Sequence, residues 1–517
     1  MSELLLALDV GTQSARAIAF DPSGSLVAGA RIPYEPYHSP RPGWAEQDPA
    51  VYWEALVAAC RRLRDDGLDL AAIGAVSLTT QRSTIVLVDE AGVPLRPAIV
   101  WLDARRTEGI PPLGGLTGLG FRLARVAGTV ARLRAEAEVN WLARHEPGTL
   151  ERAHRILFLS GYLTRRLTGE FVDSAAAQVG YLPFDYRRHA WSGPRDWRWR
   201  ALPVGRHQLP ELVPATGTLG GLTAEAAAAT GLRAGTPLIA AAADRACEAL
   251  GAGAATPDVA CVGYGTTATV STTHRRYLET IPLIPPFPAA IPGAYNLEWQ
   301  IYRGFWLVEW FRRELGHPEV ALAASDGSPG AEALLDRLLE ASPPGANGLL
   351  HLPTWSPGIR HPGPEARGAF VGLTDLHGRA DLYRAIVEGI AYGLREGLER
   401  SERRSGIRAA SLRIAGGGSR GTGIAQLTAD VFGRPVVVPH VAETSALGAA
   451  IDAAAGIGLH RDAERAAAAM TRPERTVDPD PERSARYDAL YRGAFLGLYD
   501  ALRPTYRTIR DLTGHPP

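Results

Sequence analysis

Two stretches of this chain end an apolar run in the same way. Leu4 to Leu8 is apolar and breaks into Asp9-Val10-Gly11-Thr12-Gln13-Ser14; far downstream, the run from Val259 breaks into Gly263-Tyr264-Gly265-Thr266-Thr267. Glycine lets backbone approach a ligand closely, and successive amides with neighbouring hydroxyls can cradle an anion. Either turn alone reads more simply as a hairpin that needs glycine for its backbone. The repetition is the constraint: two strand-then-Gly-Thr turns predict a duplicated phosphate-binding device, and so a duplicated domain. Between them, Ala240-Ala241-Ala242-Ala243 delivers one carboxylate, Asp244, just ahead of a helical stretch that ends at Gly251.

At 517 residues the chain is too long for one ordinary core. Two domains are expected, 1–252 and 253–517, with the boundary near residue 253. None of the 55 basic residues is lysine. That excludes a P-loop lysine, a Schiff base and a pyridoxal phosphate anchor; any phosphate must be met by amides, hydroxyls, arginine or a metal. Formal net charge is zero, so nothing electrostatic suggests a nucleic-acid or membrane-surface partner. Cys60, Cys247 and Cys261 are odd in number and form no zinc or disulfide pattern. The N-terminal apolar run is soon broken by Asp9 and resembles no signal segment. These features lead to the expectation of a cytoplasmic protein.

Residues 4–9, 15–20 and 25–30 read as a β-meander. Asp48 suits a helix N-cap and Pro49 the first helical position. Ile73 to Leu78 reads as a strand ending in Thr79-Thr80-Gln81-Arg82-Ser83, and Ile85 to Val88 as another. The apolar run from Ala98 ends in Trp101-Leu102-Asp103-Ala104-Arg105. Polar residues at strand ends are where α/β sheets build sites, although Arg82 and Asp103 could equally pair with each other or face solvent. Arg155 to Gly169 and Trp299 to Leu315 read as helices, and Asp381 to Glu399 as a strongly amphipathic one. Leu412 to Ala415 runs into Gly416-Gly417-Gly418, then a helix to about Phe432. Such a turn lets a ligand lie on backbone at a helix start, or serves packing alone. The helix after Glu443 is rich in small residues, which allows close packing against a neighbouring element.

In order along the chain, LALDVGTQSARAIAFD, the segment from Thr79 to Arg105, AADRACEALGAG, VGYGTTATV, Gly368 to Glu388, and IAGGGSRG with ETSALGAA resemble the successive motifs of the FGGY family of carbohydrate kinases. Each motif is weak alone; six in order are strong. The resemblance implies an α/β fold of two ribonuclease-H-like domains of the actin–hexokinase type with a cleft between them. It implies ATP and Mg2+ as cofactors and a small sugar or polyol as substrate. It places Asp244 as catalytic base. Asp9 and Asp244 fall at the metal. Gly11, Thr12, Gln13 and Arg16, then Gly265, Thr266 and Thr267, face the phosphates, and Gly416, Gly417 and Gly418 line the adenosine. Gln81, Arg82, Trp101, Asp103, Asp244 and Arg245 lie on the sugar side. Family members are often dimers or tetramers, which leaves a homo-oligomer open; no interface is readable.

The chain departs from the family's patterns at informative places. Glycerol kinases usually have Gln-Arg-Glu where this chain has Gln81-Arg82-Ser83, and Asp-Gln where it has Asp244-Arg245. Xylulokinases usually show Gly-Gln-Met-His-Gly, which Thr80-Gln81-Arg82-Ser83 does not match. A Gly-Glu-Arg pattern common in the family stands here as Gly358-Ile359-Arg360. The expected acceptor is therefore neither securely glycerol nor xylulose. The altered sugar side also motivates a second reading, a non-catalytic nucleotide- or sugar-binding regulator. A partner-stimulated ATPase would fit the fold but not the sugar-side segment.

Overall fold

In the computed structural model, residues 4–323, 331–358 and 361–515 are described; Ile359 and Arg360 lie outside them. The chain forms two compact units. The first comprises Met1–Ala255, His274–Asn296 and Glu443–Arg472, and the second Thr256–Thr273, Leu297–Ala442 and Pro473–Pro517. No described helix is long and apolar enough to cross a membrane.

The first unit opens with the meander β1 (Leu4–Val10), β2 (Ser14–Phe20) and β3 (Leu26–Pro33), paired antiparallel. Helix α1 (Pro49–Asp65) starts as its residues dictate: the Asp48 carboxylate accepts from the Ala50 amide, with Pro49 in the first turn. Leu6, Leu8 and Val10 share one core with Tyr52, Leu56, Cys60 and Leu63 of α1. Strand alternation therefore puts Leu5, Ala7 and Asp9 on the opposite sheet face. β4 (Ile73–Thr80) lies parallel to β1; β5 (Thr218–Gly221) and β6 (Pro237–Ala240) complete a six-stranded sheet ordered β5-β6-β4-β1-β2-β3. α2 (Asp244–Gly251) follows β6.

The second unit repeats this plan. β7 (Val259–Tyr264) pairs antiparallel with β8 (Ala268–His274) and parallel with a later strand, as β1 does. After α3 (Arg379–Ser405) comes that strand, β9 (Ser411–Ala415), then α4 (Thr422–Phe432) and β10 (Val436–Pro439), which is parallel to β9. α5 (Thr444–Gly456) packs in the first unit, against α2, β1 and β4. β11 (Pro473–Val477) closes the second sheet antiparallel to β10, as β5 does beside β6.

Two expected helices are shorter than their patterns suggest. Arg155–Phe158 is a strand, because it pairs antiparallel with Ile85–Val88; the helix runs from Leu159 to Thr168 and stops at Gly169 with φ of 81°. Tyr295–Ile301 is likewise a strand, with the helix only from Trp306 to Glu314. In both cases sheet pairing overrides an apolar spacing that suits either state.

Candidate active site

In the first unit, register puts Asp9 of β1 directly opposite Arg16 of β2. Arg16 Nη1 lies 3.3 Å from Asp9 Oδ2 and 3.0 Å from Glu443 Oε2, so one guanidinium bridges two carboxylates. Asp9 is only 5% exposed. Burial is the main cause that pushes its carboxyl up to about 6; Arg16 opposes this, while Asp244, Glu443 and Glu248 add to it. The turn between the strands is closed by the Gly11 amide donating to Ser14 O at 3.1 Å. Tyr34 Oη donates to Gly11 O at 2.5 Å, Trp101 Nε1 donates to Thr12 Oγ1 at 3.0 Å, and Gln13 is exposed at the tip.

β4 ends beside this turn, with the Gln81 amide donating to Val10 O at 3.0 Å. Gln81 Nε2 donates to Tyr52 Oη at 3.2 Å, while its buried Oε1 has no hydrogen-bond partner among the described residues. Arg82 Nε lies 3.8 Å from Asp244 Oδ1, and its guanidinium sits 5.0 Å from the centre of the Phe287 ring. Arg82 thus meets Asp244. Ser83 adopts φ of 58° and commits its hydroxyl to Val179 O at 2.9 Å. Both oxygens of Asp103 are engaged: Oδ2 accepts from the Ala45 amide at 2.7 Å and from Arg105 Nη2 at 2.6 Å, and Oδ1 from the Arg105 amide at 2.9 Å. Arg105 also meets Glu46 at 2.8 Å and stacks 4.0 Å from the Trp44 ring centre.

Asp244 is the first residue of α2, with Ala243 as N-cap, and its Oδ1 accepts from the Arg245 amide at 2.8 Å. Arg245 Nη1 reaches Glu248 at 3.2 Å. Among the described residues no cluster of three or more acidic, histidine or cysteine side chains forms a closed metal cage. Mg2+ does not require one: one or two carboxylates with phosphate oxygens and water suffice. The buried Asp9 carboxyl, crowded by the charges of Asp244, Glu443 and Glu248, fits that need, because a cation there relieves the repulsion.

In the second unit, the turn after β7 is anchored through its carbonyls. Gly265 O accepts from the Phe305 amide at 3.0 Å and Thr266 O from the Gly304 amide at 2.9 Å; Thr267 Oγ1 donates to Tyr302 O at 3.2 Å. The glycine triplet after β9 divides into two kinds. Gly416 has φ of 84° and a Cβ there would stand 2.9 Å from the Tyr264 backbone, and a Cβ on Gly418 would strike the Phe305 ring at 2.2 Å. A Cβ on Gly417 would meet nothing. Packing therefore explains the outer two glycines, and Gly417 offers an open backbone face.

Sequence reading singled out neither Glu443 nor Glu248 as part of the site, nor Phe287 beside Arg82. Glu443 heads a small-residue helix that reads as packing, and only the fold brings it to Arg16.

Residues 4–251 match the N-terminal domain, and residues 260–457 the C-terminal domain, of the FGGY family of carbohydrate kinases. The chain is 34% identical over 517 residues to a glycerol kinase of Methylibium petroleiphilum, covering 94% of this chain and 98% of that one. It is 28% identical over 500 residues to a xylulose kinase of Lactococcus lactis, covering 94% and 95%. Its structure resembles that of xylulose kinase from Rhodospirillum rubrum with a TM-score of 0.77 at 28% identity, covering 98% and 100%. With the duplicated sheet and its paired Gly-Thr turns, these likenesses establish that the chain belongs to the FGGY family of carbohydrate kinases.

Proposed function

We propose that this kinase transfers the γ-phosphoryl group of ATP to a hydroxyl of a small sugar or polyol, with Asp244 as general base. The observation that carries the assignment is that two carboxylates from strands on either side of β4, Asp9 near the end of β1 and Asp244 at the start of α2 after β6, lie close enough for the charge of Asp244 to act on Asp9. Asp9 is buried beside Arg16, whereas the Asp244 side chain stays 28% exposed beside Arg82. One is placed for a cation and the other can still meet an acceptor.

In the transfer, the acceptor O–H bond breaks and its proton passes to the Asp244 carboxylate. The oxygen forms a bond to the γ-phosphorus as the bond to the β–γ bridging oxygen breaks, releasing ADP. Such a transfer depends on positioning and charge neutralisation more than on covalent help. Bound at Asp9 and Asp244, Mg2+ would neutralise phosphate charge. Arg16 holds Asp9 in place. In this reading, Gly11, Thr12, Gln13 and Arg16 of the first unit, and Gly265, Thr266, Thr267 and the 416–418 turn of the second, bind the nucleotide. Gln81, Arg82, Trp101 and Arg245 orient the acceptor, and Asp103 acts through Arg105.

The reading fixes neither glycerol nor xylulose as the acceptor. Ser83 presents no carboxylate and its hydroxyl is already bonded to Val179 O. A buried polar site rejects an acceptor that leaves its groups unpaired. The three cysteines are buried and form no disulfide, which supports a cytoplasmic location. The test is product analysis: purified protein with Mg-ATP is incubated with glycerol, tetritols, pentoses, pentitols, hexoses and hexitols, and phosphorylated product is sought by mass spectrometry. A phosphorylated sugar or polyol supports the reading; intact acceptors throughout, with ATP bound, contradict it.

A further inference from the structure

We propose that Phe287 is a positioning residue that keeps the Asp244 base open by seating the Arg82 guanidinium on its ring. The proposal rests on the reading of Asp244 as the base.

Residues 281–292 read IPLIPPFPAAIP. Such a stretch would suit a plain surface loop, yet its one aromatic residue reaches the acceptor side of the first unit. The Phe287 ring centre lies 5.0 Å from the guanidinium carbon of Arg82, inside the range of a cation–π contact. The same guanidinium approaches Asp244 only to 3.8 Å, from Nε to Oδ1. That separation is too long for a hydrogen bond. An arginine that closes fully on a carboxylate settles into two parallel N–H···O bonds of about 2.7–2.9 Å. Here those bonds would cover the oxygens that must receive the acceptor's proton. The ring offers the cation a second seat. The Arg82 side chain is largely buried, and such a contact gains strength when water is excluded.

The place of the ring is set by its backbone. Pro286 and Pro288 flank Phe287. Proline fixes its own φ and drives the residue before it towards extended backbone. Phe287 and Pro288 accordingly form a two-residue strand, antiparallel to Tyr295 and Asn296. The next three residues, Ala289, Ala290 and Ile291, are buried and anchor the stretch. Phe287 itself is only half-buried, so packing exploits it less than a core ring. Tyr186 stands beside it, with ring centres 6.4 Å apart. The short strand also packs on the one-turn helix Ala175–Ala177. There the Ala176 carbonyl accepts from the Ala243 amide at 3.3 Å, one residue ahead of Asp244. The ring and the base thus share one support, and little entropy is lost in seating the cation on a backbone already fixed.

The experiment compares Phe287→Leu, Phe287→Met, Phe287→Tyr, Arg82→Met and the double variant of Arg82→Met with Phe287→Leu against wild type, using whichever acceptor the wild type phosphorylates. Single-turnover rates read the slow variants. Leucine and methionine keep apolar bulk without a ring face; tyrosine keeps the face. The proposal expects Phe287→Leu and Phe287→Met to lower kcat about tenfold, with KM for ATP within about twofold and Tm close to wild type. Phe287→Tyr should retain most of kcat. In the Arg82→Met background, Phe287→Leu should change kcat by less than about twofold, because no cation is left to seat. Near-wild-type kcat in a folded Leu or Met variant overturns the proposal. So does an equal loss with and without Arg82, since the ring would then act through packing on Ala175–Ala177. A Tyr variant as slow as the Leu variant overturns it too. If instead Asp244→Asn is active, it is the assignment of the base that fails. A dead Asp244→Asn beside a fully active Phe287→Leu removes the positioning claim alone.

Discussion

Gly251 on α2 and Gly448 on α5 face each other with no room between the helices. A Cβ on Gly251 would stand 2.0 Å from Thr444 O, and one on Gly448 would stand 1.9 Å from Cys247 O. Both obstacles are backbone, so neither can swing aside. The helix that begins at Asp244 is therefore locked to the helix headed by Glu443.

Gly448→Ala should destabilise the protein by about 3 kcal/mol or more, since overpacking here forces backbone to move. The urea midpoint should fall accordingly. A suitable control is Gly493→Ala, where a Cβ meets nothing. Equal midpoints for the two variants would contradict the lock.

Arg105 is the hub of a buried charge cluster. Its guanidinium meets Asp103 and Glu46, both nearly inaccessible. Arg105→Met should cost about 3–5 kcal/mol, because it leaves the Asp103 carboxylate buried without its cation, while Glu46 keeps only Arg96. Chemical denaturation measures this directly. A loss below about 1 kcal/mol would mean that water reaches the cluster.

Gly417→Ala separates binding from folding at the glycine turn. A Cβ there touches nothing, unlike one on Gly418. Calorimetry should show an unchanged Tm and ATP affinity weakened by about tenfold, worth about 1.4 kcal/mol. Unchanged affinity would place the adenosine elsewhere.

His351 makes stability depend on pH. Burial pushes its imidazole down to about 3, and its Nε2 accepts from Trp355 Nε1 at 2.9 Å. Below the unfolded value near 6.5 the unfolded chain takes up a proton that the folded chain refuses. Stability is therefore lost as pH falls from about 6.5 towards 3. His351→Gln should gain Tm relative to wild type as pH falls from about 7 to about 4.5; a constant difference would show that the imidazole titrates normally.

The sequence was most legible where local chemistry settles the backbone. Asp48-Pro49 starts a helix, Gly169 stops one, and the Gly-Thr turns mark the ends of β1 and β7. The small residues after Glu443 announced close packing, and Gly448 against Cys247 O is that packing. Pairing was harder to read. Arg155–Phe158 and Tyr295–Ile301 have spacings that suit helix or strand, and only their sheet partners decide. Least legible were contacts across long stretches of chain. Arg82 and Asp103 stand close in sequence, yet one turns to Asp244 and the other to Arg105. Glu443 meets Arg16 because α5 packs in the first unit despite following the second unit's strands. No local pattern encodes that return.

The central claim is that Asp244 takes the acceptor's proton. Its most direct test is kcat for wild type and Asp244→Asn with the acceptor found in the product screen, alongside ATP affinity by calorimetry. The account predicts a fall in kcat of about 100-fold or more with ATP affinity within about twofold of wild type. An Asp244→Asn variant that turns over at near the wild-type rate would contradict it.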